Sequence, residues 1–575
     1  MIDLVIRDGL VVDGTGAPAR RADVAVDGGR VVAVGDVEEP ATREIDAAGC
    51  VVAPGFIDLH THYDAQLSWD PTASPSPLHG VTTVFGGNCG FSLAPAGPEH
   101  ADYLVRMMAK VEGMPLAALR AGMEWNWSGF GEWLGRFDGA IGVNAGFLVG
   151  HSTLRRAVMG DDAVGGEATE AQLTAMEHLL HGALSEGAMG FSTSQAHTHH
   201  DGDGSPVPSR SASRLELERL AAVVADHPGT TLEMIVPGCI NGFSAEEVEL
   251  LTRMSVLSGR PVNWNVLASN ASDPDRTAGQ LAASTAAAAA GGRVVALTLP
   301  HTMDLRLSFM TGAILDGLPG WSEFFARPVP ERIAILADPA ARRPLDDRAQ
   351  SDEAGILRFL ADWGRLVIAE THAPAHRGLE GRSVAEVAAE RAVTTWDAIC
   401  EVLVADGLRT GFSVPIPTTD DDWAARARTW QDPRAIVGGS DAGAHLDTMC
   451  GAVYSTTLLA EGVRNRGLLS MEEAIRLLTD APAQLYGVVD RGRVAVGYWG
   501  DLVVFDPERV GPEPMRTRDD LPGGASRLYA EAAGIEHVLV NGTEVVTAGA
   551  FTGAVPGTVL RSGTDTRTVA VPGAA

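Results

Sequence analysis

The sequence predicts an α/β protein in which a (β/α)8 barrel carries a small β-sandwich domain formed by both chain termini. Two patterns lead to this fold class. In the middle of the chain, short apolar runs alternate with alanine-rich helical stretches, whereas both ends consist of short alternating runs separated by glycine turns. Strands that alternate with helices form a mainly parallel sheet, and about eight such units close into a barrel.

The two chain ends are predicted to share one β domain. Residues 1–53 contain alternating runs around glycine turns, which are hairpin signals. A segment this short cannot bury a core alone. Residues 485–575 supply a partner, with an apolar run at 502–505 and a strand, Asn-Gly turn, strand pattern at 535–546. We therefore assign 1–53 and 485–575 to one domain, and 54–484 to the barrel.

Within the barrel region, the alternation places strands and helices at definite segments. Irregular stretches near 100–140 and 305–360 are interpreted as insertions above the barrel. The candidate helices are 170–185, 213–225, 245–258 and 280–290. The candidate strands, after a first strand ending near residue 59, are 80–85, 141–149, 189–192, 230–236, 262–267, 294–299, 366–369 and 435–438.

The composition excludes two classes of partner. The formal charge of -30 repels phosphate backbones and anionic lipid, so neither nucleic acid nor a membrane surface is expected. The N-terminus alternates like a strand rather than a signal peptide. The five scattered cysteines form no C-x-x-C pair, so a disulfide framework is not expected. We expect a cytoplasmic protein that binds a small-molecule amide substrate. The composition is compatible with a monomer and with a homo-oligomer.

Two histidines follow the first apolar strand of the barrel region. His60 and His62 come directly after the run 51–59, which contains a Pro-Gly pair. Residues i and i+2 of a strand point to the same face, so both imidazoles can reach one metal ion. The alternative is two unrelated surface histidines.

Two further candidates also follow predicted strands. Asp441 comes after the apolar run 435–437 and a Gly-Gly-Ser turn. A carboxylate there can bind a metal and accept a proton from water, and its alternative is a turn or helix-cap aspartate. Cys89 ends the second candidate strand, and its alternative is a small buried apolar residue.

These segments resemble a known family. Residues 54–62 (Pro-Gly-Phe-Ile-Asp-Leu-His-Thr-His) are similar to the first-strand signature of the amidohydrolase superfamily. Further segments resemble its D-aminoacylase (N-acyl-D-amino-acid deacylase) branch: 62–66, 80–84, 87–92, 150–155, 158–160, 187–193 and 438–445. The resemblance implies that Cys89 is a metal ligand and that Asp441 is both a metal ligand and the catalytic acid and base.

The only lysine of the chain bears on the number of metals. Many members of the superfamily bridge two metals with a carboxylated lysine at a strand end. Lys110 lies in a helical pattern within an insertion, so it is not expected to form such a bridge. Cys89 or a carboxylate would have to supply any bridging ligand.

The chain departs from the family pattern on the fifth and sixth strands. The resemblance places Glu233 where the branch has a histidine ligand, and Val266 and Ala268 in place of the histidine and lysine of a His-Leu-Lys motif. A register shift of one residue would instead let Asn265 face the site. We predict one divalent metal, with Zn2+ as the expected ion, held by His60, His62 and Asp441 with help from Glu233 or Cys89.

Three residues are predicted to contact the substrate. His151 ends a candidate strand, Arg155 follows one helical turn later, and His445 lies four residues after Asp441. The alternative for His151 is a structural histidine. The cluster His197, His199 and His200 suggests an active-site loop or a solvated one.

His372 follows the apolar run 366–369. It is an alternative replacement ligand, from a later strand or from an insertion. Ala268 stands where the branch has a lysine, so this chain lacks the cation that would bind a substrate carboxylate there. Arg155 or Arg210 could supply that positive charge instead.

The predicted reaction is hydrolysis of a C–N amide bond in a small molecule, most like N-acyl-D-amino acid deacylation. Asp441 is the predicted general base. Ring opening of a cyclic amide, or deamination, is the alternative on the same scaffold. A degenerate member that only binds a small molecule is a further alternative, because two ligands of the branch are replaced.

Overall fold

Eight parallel strands form a closed barrel at the centre of the protein, which a computed structural model describes over residues 1–300, 304–312 and 314–573. We number these barrel strands β1 to β8. Their bounds are Phe56–Asp58 (β1), Val81–Gly86 (β2), Asn144–Phe147 continued by Val149–Gly150 (β3), Gly190–Ser194 (β4), Thr231–Ile235 (β5), Val262–Leu267 (β6), Val294–Thr298 (β7) and Ala435–Val437 (β8). Each strand from β1 to β7 pairs with the next in parallel.

The barrel closes where the chain just beyond β8 meets the chain just beyond β1. The Asp441 N–H donates to the His60 carbonyl at 3.1 Å, and the His62 N–H donates to the Ala442 carbonyl at 2.7 Å. Thr61 and Ala442 form the corresponding parallel bridge. The predicted barrel is therefore confirmed, and the predicted site residues lie on both sides of its closing seam.

The helices of the barrel begin at the caps that the sequence encodes. Thr169 and Gln172 form a capping box at the start of Glu170–Ser185. Ser244 and Glu247 form another at the start of Ala245–Ser258. These side chains accept hydrogen bonds from N–H groups that the first turn of a helix leaves free. The helix predicted at 280–290 begins earlier, at Pro274, with Asp273 as its N-cap. The remaining barrel helices are His151–Met159, Arg214–Val224, Asp420–Trp430, Met471–Leu478 and Asp480–Tyr486.

The predicted strand 366–369 is a strand but does not belong to the barrel. Val367–Glu370 pairs antiparallel with Gly411–Ser413, which also pairs antiparallel with Arg306–Ser308. A short apolar run has the same pattern in a barrel and in an insertion, because periodicity does not report the partner strand. Its assignment among the barrel strands was wrong.

The insertion between β7 and β8 has a hydrophobic core of its own, which extends from Leu307 to Phe412. Trp321, Trp363 and Trp396 pack against one another at its centre, with ring centroids 5.0 to 5.9 Å apart. Its helices are Trp321–Phe325, Val329–Ala337, Pro339–Ala349, Val384–Arg391 and Thr395–Ala405. The insertion between β2 and β3 contains the helices Ala101–Val111, Leu116–Gly122 and Phe130–Gly135.

Both termini build one β domain, as predicted. Its nine strands belong to a single hydrogen-bonded sheet in which the first strand pairs with Ala41–Asp46 over its first half and with Val51–Pro54 at its end. The strands are Ile2–Val11, Arg20–Asp27, Arg30–Gly35, Ala41–Asp46, Val51–Pro54, Leu502–Phe505, Ile535–Val540, Thr543–Thr547 and Ala550–Phe551. Within the described residues, we find no helix with the length and apolarity needed to cross a membrane.

Candidate metal centre

The side chains of His60, His62 and Asp441 meet at the carboxyl-terminal edge of the barrel, where β1 and β8 end. His62 Nε2 lies 3.0 Å from Asp441 Oδ1, and His60 Nε2 lies 3.5 Å from the same oxygen. The centroids of the two imidazole rings are 5.2 Å apart. One carboxylate oxygen therefore faces two imidazole nitrogens, which is an arrangement that a shared cation suits.

Carboxyl groups lie all around this pair of histidines: Asp58, Asp64, Glu112, Glu233 and Asp441. Burial raises the pKa of Asp58 to about 6 and the pKa values of Asp64 and Glu233 to about 7. Among the described residues, Glu112 and Asp441 form ion pairs with histidines alone. Buried acids without a basic partner are costly, and a divalent cation would remove much of that cost.

Unpaired imidazole nitrogens point to the same conclusion. Both ring nitrogens of His62 and Nδ1 of His60 are buried without a hydrogen-bond partner in the described protein. Buried polar atoms are nearly always paired, so Nε2 of His62, which faces Glu112 and Asp441, marks a position where a cation belongs. Imidazole nitrogens with carboxylate oxygens fit Zn2+ or a similar divalent ion.

Asp441 is held as an ionised carboxylate. Burial opposes its ionisation, but the adjacent imidazoles of His60 and His62 outweigh burial and hold its pKa well below the usual range. Its backbone has φ +60°, and Cys89 and His445 have φ +55° and +51°. Such left-handed conformations are uncommon for residues other than glycine and concentrate at functional sites.

Cys89, Glu233 and Asn265 form what we call the cysteine side of the centre. Cys89 Sγ lies 3.5 Å from His60 Nε2. Glu233 accepts hydrogen bonds on both oxygens, from the Cys89 N–H at 2.8 Å and from Asn265 Nδ2 at 2.5 Å. Asn265 is buried and reaches this cluster, so it is the residue of β6 that faces the site. Of the two registers that the sequence left open for β6, this is the one in which Asn265 faces the site.

Glu112 joins the centre from the insertion between β2 and β3. It follows the helix Ala101–Val111, and its Oε2 lies 3.5 Å from His62 Nε2. Ligand atoms of His62, Glu112 and Asp441 lie within 4.8 Å of one another, as do those of His60, His62 and Cys89. We call His60, His62, Glu112 and Asp441 the histidine side. Sequence reasoning missed Glu112, because an acidic residue at the end of an amphipathic helix is usually solvated.

The centre opens to solvent at one edge. The side chains of His60, His62 and Glu112 are at most 4% exposed, whereas that of Asp441 is 20% exposed and that of His445 is 39% exposed. His445 Nε2 lies 3.5 Å from Asp441 Oδ2. Water and a substrate can therefore approach Asp441 from the His445 side.

His151 and Arg155, which were predicted to contact the substrate, lie in a closed network instead. Both ring nitrogens of His151 are engaged, by Thr193 and Glu216, each at 2.8 Å. Arg155 Nη1 donates to both oxygens of Glu216 at 2.6 Å, and both side chains are fully buried. The sequence could not reveal this role, because Glu216 lies on the distant helix Arg214–Val224.

The other histidine candidates divide between the centre and the surface. His199 turns inward, with its Nδ1 2.8 Å from Ser194 Oγ and its ring packed against Phe91. His372 is exposed on the insertion between β7 and β8, away from the two ligand groups. Lys110 pairs with Asp316 at 3.1 Å on the surface, so a lysine bridge is absent from this centre.

The family model described as "Amidohydrolase family" matches residues 43–546. The chain belongs to the amidohydrolase family. The predicted superfamily is thereby confirmed, as is the prediction that the protein is an amidohydrolase. The matched region includes the whole barrel and about half of the terminal β domain, without the first three strands of that domain.

Individual relatives support the branch. An N-acyl-D-glutamate deacylase from Alcaligenes xylosoxydans xylosoxydans is 33% identical over 95% of this chain and 93% of its own. A D-aminoacylase from the same organism is 29% identical over 97% of both chains.

Solved structures agree with these relatives. An N-acyl-D-glutamate deacylase from Bordetella bronchiseptica, complexed with zinc and a phosphonate inhibitor, is 27% identical with a TM-score of 0.65, covering 98% of this chain and 100% of its own. A D-aminoacylase structure, which concerns a binuclear metal centre with one-metal activation and second-metal attenuation, is 29% identical with a TM-score of 0.64 and the same coverage. The predicted D-aminoacylase-like fold is thus confirmed.

Proposed function

We propose that this chain is a metal-dependent deacylase of N-acyl amino acids, with one divalent cation, Zn2+, held by His60, His62 and Asp441. The observation that carries the proposal is the meeting of one ionised carboxylate oxygen with two imidazole nitrogens at the ends of β1 and β8. The relatives that hydrolyse N-acyl-D-amino acids support the substrate class.

A single cation is favoured by the difference between the two sides of the centre. On the cysteine side, the two oxygens of Glu233 already accept hydrogen bonds, and Asn265 supplies an amide rather than an imidazole. Cys89 is a further candidate metal ligand, because its Sγ lies close to His60. Burial raises the pKa of its thiol well above the usual range, so without a cation it stays protonated.

Asp441 carries the proton transfers. A bound divalent cation lowers the pKa of water and polarises an amide carbonyl. Oδ1 of Asp441 faces the histidines, while Oδ2 lies on the open edge beside His445. Asp441 Oδ2 takes a proton from the attacking water and then returns it to the departing amine nitrogen, as a positioned general base and acid does.

His445 orients this exchange and is the proposed substrate contact. It is the most exposed side chain of the cluster, and its Nε2 is within 3.5 Å of Asp441 Oδ2. A substrate that reaches Asp441 from solvent therefore passes His445. We also propose a cytoplasmic location, because all five cysteines are described and unpaired.

Metal analysis together with a substrate panel tests the proposal. The purified protein is expected to contain one zinc per chain and to hydrolyse N-acetyl-D-amino acids faster than their L-enantiomers. The panel includes hydantoins and aminated heterocycles as the cyclic-amide and deamination alternatives. Turnover of those compounds without deacylation would contradict the proposed substrate class. Protein that binds no metal and shows no metal-stimulated activity would support the degenerate, binding-only alternative.

A further inference from the structure

Glu112 is a buried carboxylate in a position that is unfavourable for an anion. It is the C-terminal cap of the helix Ala101–Val111, with its N–H donating to the Met108 carbonyl at 3.0 Å. The C-terminal end of a helix carries partial negative charge. Glu112 is 3% exposed, and within the described protein its only ion-pair partner is His62.

The neighbours of Glu112 compensate a negative charge only weakly. Its Oε2 faces the unpaired Nε2 of His62 at 3.5 Å, and the Asp441 carboxylate lies within the same 4.8 Å group. Two carboxylates that share one imidazole in a dry setting repel each other. A cation among the three groups would reverse that repulsion into attraction.

The backbone holds this carboxylate in place. The Glu112 carbonyl accepts a hydrogen bond from the His445 N–H, so the insertion is tied to the turn that carries Asp441 and His445. Gly113 has φ +57°, and a Cβ placed on it would lie 3.1 Å from His445 Cα and 3.4 Å from Asp447 Oδ1. The position of Glu112 is therefore fixed by the same turn that fixes Asp441.

We propose that Glu112 is a fourth ligand of the cation, an inference that rests on the proposed function. The cation is then held by two imidazoles and two carboxylates, from β1, β8 and the insertion between β2 and β3. This donor comes from the insertion and not from the cysteine side, where Glu233 and Asn265 stand in place of two imidazoles. The insertion thereby becomes part of the metal site.

The competing role for Glu112 is recognition of a cationic group on the substrate. The geometry favours the metal, because Glu112 faces the interior nitrogen of His62 and is nearly closed to solvent, whereas the open edge lies at His445. A substrate-binding role would change KM and leave metal binding intact. A ligand role changes metal binding in the absence of any substrate.

Cobalt titration of the metal-free protein separates these roles. Full-length wild type, Glu112→Gln, Glu112→Asp and the control Glu124→Gln are stripped with a chelator and titrated with Co2+. The Kd and the visible absorption of the bound ion are the readouts. Glu124 is exposed and lies in the same insertion, so its variant controls for a lost carboxylate.

The expected result is specific to Glu112. Glu112→Gln should weaken Co2+ binding by about 100-fold or more, since loss of even an indirect partner of a ligand costs 10–100-fold, and should alter the absorption spectrum. The Kd of Glu112→Asp for Co2+ should lie between those of wild type and Glu112→Gln. The Kd of Glu124→Gln should equal that of wild type. Thermal unfolding of the metal-free variants confirms that each is folded.

Two outcomes would overturn the inference, and they differ from each other. Wild-type Kd and spectrum in folded Glu112→Gln would remove Glu112 from the ligand set and leave the proposed function standing. Absence of Co2+ binding by wild type itself would overturn the metal site and the proposed function together.

Discussion

Both sides of the metal centre contain a buried carboxylate, but they differ in how its charge is satisfied. On the histidine side, Glu112 and Asp441 face imidazoles that have unpaired buried nitrogens. On the cysteine side, the carboxylate of Glu233 accepts an N–H from Cys89 and another from Asn265. A group that the protein already satisfies has less to gain from a metal. Hydrogen-bond partners, together with residue type, therefore decide where a cation is favoured.

The first test removes the proton acceptor of the histidine side. Asp441→Asn is expected to lower kcat by about 10²–10⁴-fold, because general acid and base catalysis supplies that much. Steady-state hydrolysis of an N-acetyl-D-amino acid measures it, with the fully exposed Asp352→Asn as the matched control. Wild-type kcat in Asp441→Asn would refute the mechanism. Metal content is measured in parallel, because Asp441 is also a proposed ligand.

The second test asks which side a metal stabilises. A ligand at 100 times its Kd stabilises the folded state by about 2.7 kcal/mol, so Zn2+ should raise the melting temperature of wild type. His62→Ala should lose this increase, and Cys400→Ser, at a buried cysteine in the insertion between β7 and β8, should keep it. A zinc-dependent increase that survives in His62→Ala would place the ion on the cysteine side.

The third test concerns Glu233. Because both of its oxygens are already engaged, Glu233→Gln should weaken zinc binding by less than about tenfold, the lower end of the range for indirect partners of a ligand. Equilibrium dialysis measures the Kd, and the exposed Glu246→Gln is the control. A larger loss would show that Glu233 binds the metal directly, as the sequence predicted.

The smallest expected effect comes from the turn that fixes Glu112. Gly113→Ala should cost roughly 1 kcal/mol, since alanine is strained at positive φ, and should also weaken zinc binding by displacing Glu112. Gly165→Ala is the matched control, because Gly165 also has positive φ but a Cβ there meets nothing within 4 Å. Equal zinc affinity in the two variants would show that contact with His445 is unimportant.

Strand ends explain which parts of the site the sequence could predict. His60, His62, Cys89 and Asp441 directly follow apolar strands, and parallel strands bring their carboxyl ends to one edge. The barrel and the terminal β domain follow from the same patterns of alternation.

The remaining features depend on contacts between distant segments. Glu112 follows a helix of an insertion, and its backbone carbonyl accepts a hydrogen bond from His445, more than 300 residues later. His151 also follows a strand, yet Glu216 from a later helix engages it. The strand 366–369 pairs within an insertion. Local sequence patterns do not encode these partners.

The closing seam of the barrel has a consequence for biosynthesis. His60 and Ser440, which are 380 positions apart, lie side by side where the seam forms. A nascent chain presents both histidines early, but Asp441 emerges only after the whole barrel region up to β8 has been translated. Metal loading at the complete site must therefore follow barrel closure. A bound ion then links the ends of the first and last barrel strands at a late stage of folding.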